Sequence, residues 1–132
     1  MKTILFACTE NAGRSQIAAA LFNKLANPRI ARAISAGTRP AKKVHKNVII
    51  SLEQSGIDIT HAAPRLLTKE LASESNLLVT MGCKESCPQV PGLKIEDWDI
   101  EDVKEKSLEE TIEIQKVIEK RIKELIDRIE VV

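Results

Sequence analysis

The sequence lacks any apolar run near the ~20 residues that a bilayer-spanning helix needs, so membrane embedding is not expected. It also lacks a surplus of either charge. Its 20 basic and 19 acidic residues give a formal net charge of +1, whereas a nucleic-acid binder would carry a basic excess. The one basic cluster, Lys42-Lys43-Val44-His45-Lys46, is short and reads as a solvated helix face. The opening Met1-Lys2-Thr3-Ile4-Leu5-Phe6-Ala7 is too short for a signal peptide and runs into a polar, glycine-containing loop instead of a cleavage site, so the cytoplasm is the expected location. Three cysteines, an odd number in a reducing compartment, exclude a static disulfide framework and leave thiol chemistry or simple burial. No repeat, linker or low-complexity tract is evident, and 132 residues suit one domain, 1–132, with one core.

Within that frame, strand and helix patterns alternate. Thr3 to Ala7 is a continuous apolar run, as in a strand covered on both faces. Ser15 to Leu25 carries Ile17, Leu21, Phe22 and Leu25 at helical spacing and stops at Asn27-Pro28. Ile30 to Ala36 reads as a second strand, closed by Gly37. Lys42 to Ser55 reads as a helix with Val44, Val48 and Leu52 on one face. A short helix is expected over Thr68 to Ser73, a third strand over Leu77 to Thr80, a loop over Gly82 to Gly92, and an edge strand over Ile95 to Ile100. Ser107 and Glu110 form a capping-box pattern before a final helix whose expected stripe is Leu108, Ile112, Ile118, Ile122, Leu125, Ile126 and Ile129. The order predicts an α/β fold: a three-layer αβα sandwich on a four-stranded parallel sheet with right-handed crossovers.

Ligands of such sheets bind outside the carboxyl ends of the strands, and the first such end is at Ala7-Cys8. Five residues separate Cys8 from Arg14, and Ser15 follows at the start of a helix. A loop of that size can turn the backbone N–H groups of Thr9, Glu10, Asn11, Ala12, Gly13 and Arg14 inward, with the positive helix end behind them. The product is an anion cradle with a thiol at its base. A thiol near a helix N-terminus and an arginine ionises more readily than a free one. Ser15 can donate a hydrogen bond to the thiolate, and the Arg14 fork suits two oxygens of a tetrahedral oxyanion. Asn11 is suited to holding an unusual backbone conformation. A buried strand-end cysteine and a surface arginine are the bland alternative, but the full strand, Cys-x5-Arg-Ser and helix context favours the cradle.

This strand, loop and helix resemble the low-molecular-weight protein tyrosine phosphatase fold. Arg14-Ser15-Gln16 followed by Ile17-Ala18 resembles the thioredoxin-coupled arsenate reductases within it, since the phosphatases usually carry proline at the position of Gln16. Ser35-Ala36-Gly37 is common to both, and Val79-Thr80-Met81-Gly82-Cys83 with Cys87-Pro88 resembles the reductases' redox segment. The resemblance implies a relay: Cys8 attacks arsenate, Cys83 attacks Cys8, Cys87 attacks Cys83, and thioredoxin or a similar external thiol reductant restores the thiols, with no bound cofactor. It also implies a general acid at Asp102, among the carboxylates Asp97, Asp99, Glu101 and Asp102 around Trp98. The family's proline and Ala-Gly-Lys run after that acid are replaced here by Val103-Lys104-Glu105-Lys106. The potassium-site positions of some relatives match Ala19 and Arg65, so no metal is expected. A monomer is expected.

Two readings remain beside the reductase. A phosphatase would use Cys8, Arg14 and Asp102 and let water resolve a phosphocysteine; a shortage of aromatic walls, with no tyrosine and only Phe6, Phe22 and Trp98, weighs against phosphotyrosine. A non-catalytic oxyanion sensor would leave Cys83 and Cys87 without a purpose. Those two could otherwise be inert. A zinc pair is a poor match, because a structural site needs four ligands and His45 and His61, both read as surface residues, lie far off in sequence.

Overall fold

A computed structural model describes residues 1–83 and 86–130. Its elements follow the order β1 (Lys2–Cys8), α1 (Arg14–Leu25), β2 (Ala31–Gly37), α2 (Lys46–Gln54), α3 (Lys69–Ser73), β3 (Leu77–Thr80), β4 (Lys94–Asp97) and α4 (Leu108–Glu130). The four strands form one parallel sheet in the order β2-β1-β3-β4. The chain therefore leaves β1 on one side for β2 and later crosses to its other side for β3. The C-terminal end of β1, where Cys8 sits, lies at that reversal, which is where open parallel sheets leave a crevice.

Alternation along β1 divides the core into two layers. Ile4, Phe6 and Cys8 pack with Ile17, Phe22, Val48, Ile118 and Ile122 under α1, α2 and α4. Leu5 and Ala7 face the other way, into a smaller cluster with Leu67, Ala72, Leu78, Cys83 and Cys87 beneath α3 and its loops. The three-layer α/β architecture is as expected, with its helices unevenly shared between the faces.

Three features depart most from the sequence reading. Helix α2 begins at Lys46, not Lys42, because the preceding segment spends its N–H groups on another loop: Arg39 N bonds Thr9 O at 2.8 Å, Ala41 N bonds Glu10 O at 2.9 Å and His45 N bonds Ala12 O at 2.9 Å. Strand β4 stops at Asp97, and Trp98 turns into the core against Phe6, ring centroids 5.8 Å apart. In α4 the buried stripe begins Thr111, Ile114, Gln115, Ile118, while Leu108 and Ile112 are half-buried. Gln115 is tolerated inside because Ser51 and Ser55 on the α2 side satisfy its carboxamide. The predicted capping box is present: Glu110 N bonds Ser107 Oγ at 3.1 Å and Ser107 N bonds Glu110 Oε1 at 3.0 Å. Among the described residues, no helix is long and apolar enough to cross a membrane.

Candidate active site

The loop from Cys8 to Arg14 is shaped by where its carbonyls go. Cys8 O accepts from Thr38 N at 3.2 Å, Thr9 O, Glu10 O and Ala12 O accept from Arg39, Ala41 and His45, and Gly13 O accepts from Ile17 N at 3.0 Å. Asn11 O accepts from the side chain of Gln16 at 3.0 Å. With every carbonyl engaged outward, the peptide planes turn their N–H groups toward the loop's centre. Among the described residues, no backbone N–H from Thr9 to Arg14 donates to another group of the chain. Such a ring of free donors at a helix start is an anion site.

Gly37 makes this shape possible. A Cβ there would lie 2.7 Å from Thr9 O and 2.8 Å from Asn11 N, so the loop closes over β2 only because residue 37 has no side chain. Asn11 takes φ 51°, in the left-handed region that asparagine tolerates better than most residues.

The proton on Ser15 can be placed by elimination. Asn11 Oδ1 accepts from Arg65 N at 2.9 Å, and a backbone N–H can only donate. The Asn11 nitrogen therefore faces Ser15 and donates to its Oγ at 2.6 Å. Ser15 is thereby committed as acceptor on that side, and its own hydrogen is left for Cys8 Sγ, 3.0 Å away. Cys8, Asn11 and Ser15 are all buried, so water does not compete for these bonds.

Arg14 opens α1 and donates from Nη1 to Ile100 O at 3.1 Å. Its Nη2 lies 3.5 Å from Asp102 Oδ2, and its Nε is buried without a partner among the described residues. An orphaned guanidinium N–H beside the loop is what a bound oxyanion would satisfy. Asp102, half-exposed, accepts from Lys104 N at 3.0 Å, and Val103 is buried against Gly13, where a Cβ would fall 2.3 Å from Val103 Cγ2. The replaced family segment thus still docks on the loop. A cavity of about 300 Å³ lies here, lined by Cys8, Thr9, Glu10, Gly13, Arg14, Arg39, His45, Asp102 and Lys104. Charged and polar side chains dominate its walls, and no Phe, Tyr or Trp lines it.

The sequence reading missed several of these. His45 lies at the cavity, not on an open surface, and Arg39 and Lys104 join it; Lys104 Nζ pairs with Glu10 at 3.4 Å. Nothing in the local pattern separates these cations from their solvated neighbours. Among the described residues, no cluster of three or more His, Cys, Asp or Glu could hold a metal ion.

Cys83 and Cys87 stand at the same end of the sheet, with their sulfurs 3.2 Å apart and buried. They face the smaller core layer, whereas Cys8 belongs to the larger one. The link between them is Gly82, at φ 90°, where a Cβ would lie 2.7 Å from Arg14 Nη1; its carbonyl lies 3.4 Å from Thr9 Oγ1. The two thiols differ in how readily they ionise. The hydrogen bond to Cys87 and burial push the Cys83 thiol up, and the hydrogen bond from Cys83 holds Cys87 below the usual thiol value. With both thiols protonated, Cys87 Sγ can donate to Cys83 O at 3.1 Å.

A family model described as low molecular weight phosphotyrosine protein phosphatase matches residues 3–131. The glutaredoxin arsenate reductase of Synechocystis is 30% identical, with 98% of this chain and 99% of that protein covered. The structure of an arsenate reductase from Archaeoglobus fulgidus superposes with a TM-score of 0.82 at 30% identity, covering 94% of this chain and 98% of that one. The thioredoxin-dependent arsenate reductase of Corynebacterium glutamicum gives a TM-score of 0.86 at 37% identity over 99% of this chain, which spans 63% of that protein's length.

Proposed function

The chain belongs to the low molecular weight phosphotyrosine protein phosphatase family, and within it we propose that this member is an arsenate reductase. The observation that carries the reading is the second pair of thiols, Cys83 and Cys87, held 3.2 Å apart beside the anion loop. Their place one glycine from the Arg14 guanidinium gives a redox pair access to an oxyanion site, which hydrolysis would not require. Relatives named as arsenate reductases cover nearly the whole chain.

In this mechanism the Cys8 thiolate attacks the arsenic of arsenate, held by the loop N–H groups and Arg14, and forms a sulfur–arsenic bond. Asp102 supplies the proton that lets the displaced oxygen leave as water. Cys83 then passes its proton to the neighbouring Cys87 sulfur, 3.2 Å away, and attacks Cys8 Sγ as thiolate. The new S–S bond forms as the S–As bond breaks, and its electron pair stays on arsenic, which leaves as arsenite. Cys87, the more readily ionised of its pair, attacks Cys83 and expels Cys8 as thiolate. Two thiols have been oxidised and arsenic has gained two electrons. An external dithiol of the thioredoxin or glutaredoxin class reduces the Cys83–Cys87 disulfide. Because Cys8 and Cys83 face different core layers, the second step requires Cys83 to leave its packed position. We infer that such a cycle runs in a reducing, cytoplasmic compartment, on a single domain, 1–132, acting as a monomer.

A phosphoester phosphatase is the second reading, since Cys8, Arg14 and Asp102 would serve it unchanged. The test is to supply arsenate with a thioredoxin system, and separately an aryl phosphate, to the parent and to Cys83→Ser. Arsenate-dependent consumption of reductant that disappears in Cys83→Ser supports the reductase. Aryl phosphate turnover indifferent to that substitution, with no arsenate turnover, assigns the phosphatase.

A further inference from the structure

Five consecutive carbonyls, from Cys8 to Ala12, must be held outward for the loop to present its N–H groups. Four are held by backbone donors of the segment 38–45. The fifth, on Asn11, falls out of that series because the left-handed φ of 51° rotates its peptide, and it is held instead by the Gln16 side chain. Gln16 Nε2 lies 3.0 Å from Asn11 O, 3.3 Å from Asn11 Oδ1 and 3.5 Å from Ala63 O. Gln16 is 7% exposed, on the first turn of α1 beside Ser15, so water is a poor substitute for its carboxamide.

We infer that Gln16 is a positioning residue for the Cys8 nucleophile: its carboxamide fixes the backbone and side chain of Asn11, and Asn11 aims the Ser15 hydrogen at sulfur. Without the Gln16 donors, Asn11 O loses its partner in a dry site. The Asn11 carboxamide is then held on one side by Arg65 N–H alone. The freed Asn11 peptide then rotates and carries the Asn11 side chain off Ser15 Oγ, and with it goes the bond that aims the serine hydrogen at Cys8 Sγ. The inference rests on the reading of Cys8 as nucleophile and is independent of whether the substrate is arsenate or a phosphoester.

The test uses the full chain with Cys83→Ser and Cys87→Ser, so that Cys8 is the only thiol, and follows iodoacetamide alkylation at pH 7 and pH 9.5. Gln16→Leu keeps the volume and removes the donors; Gln16→Met is the second variant should leucine fail to fold. Expected is a roughly fivefold to tenfold slower reaction at pH 7, the scale of one ordinary hydrogen bond, closing by pH 9.5. Gln115→Leu is the control: it removes a buried glutamine bonded to Ser51 and Ser55, and it should lower the melting temperature without changing alkylation. Parent-like alkylation in a folded Gln16 variant, or an equal slowing in Gln115→Leu, overturns the inference. A parent that itself reacts at pH 7 as slowly as an ordinary thiol overturns the nucleophile reading as well.

Discussion

Asn11 Nδ2 lies 2.6 Å from Ser15 Oγ, and that bond leaves the serine hydrogen free to point at Cys8 Sγ, 3.0 Å away. Ser15→Ala removes the donor without disturbing the loop's carbonyl contacts. The expected result is a loss of about 10- to 100-fold in kcat/KM near neutrality, narrowing as the pH rises and the thiolate forms unaided. A pH profile checks this, and a deficit constant with pH would point to a packing role for Ser15.

Gly37 is the contact on which the loop rests. Gly37→Ala brings a methyl against the backbone at Thr9 O and Asn11 N, and neither can yield as a flexible side chain would. A destabilisation of about 1–3 kcal/mol is expected from such overpacking, together with lost phosphate protection of Cys8 against alkylation. Thermal unfolding with and without phosphate measures both effects.

Asp102 Oδ2 lies 3.5 Å from Arg14 Nη2 and is half-exposed at the cavity, so its acid role is separable from stability. Asp102→Asn is expected to lower kcat about 10²-fold or more while leaving the melting temperature within a degree or two. A large fall in melting temperature with kcat preserved would make it a structural residue.

The Glu96–Arg128 pair has a pH signature. Arg128 donates from Nη1 and Nη2 to the two oxygens of Glu96 at 2.8 and 2.9 Å, and this holds the Glu96 carboxyl below the ordinary value of 4.5. A group depressed in the folded state contributes stability above its unfolded value and loses it as the pH falls through the folded value. Arg128→Ala should therefore lower the melting temperature at pH 7 by about 1–3 °C, as suits a largely exposed pair. The difference should vanish below the carboxylate range. A difference that grew on acidification would reverse the assignment.

What was legible in the sequence was local. Cys8, Arg14 and Ser15 share one short segment between a buried strand and a helix, and spacing alone places them together. The parallel sheet follows from alternating patterns, and the Ser107–Glu110 cap from a three-residue motif. What was not legible depends on contacts remote in sequence. Residues 42–45 have helical periodicity, but their neighbours' N–H groups are drawn to the carbonyls of residues 9–12, and the helix waits until Lys46. The stripe of α4 is out of phase with its isoleucines at the start because Ser51 and Ser55, some 60 residues away, give Gln115 a polar berth. Gln16 was visible as a letter in a motif, but its contact with Asn11 depends on a left-handed backbone that spacing does not reveal. That Cys8 and Cys83 face opposite core layers depends on the path of the chain after β3, which spacing does not reveal.

The most direct test of the relay is to add one equivalent of arsenate to the fully reduced chain without any reductant, quench with acid, and map the thiols by mass spectrometry. A Cys83–Cys87 disulfide with Cys8 free is expected in the parent, and a Cys8–Cys83 disulfide in Cys87→Ser. Three free thiols after exposure to arsenate, or a disulfide that forms equally well without it, would contradict the reductase.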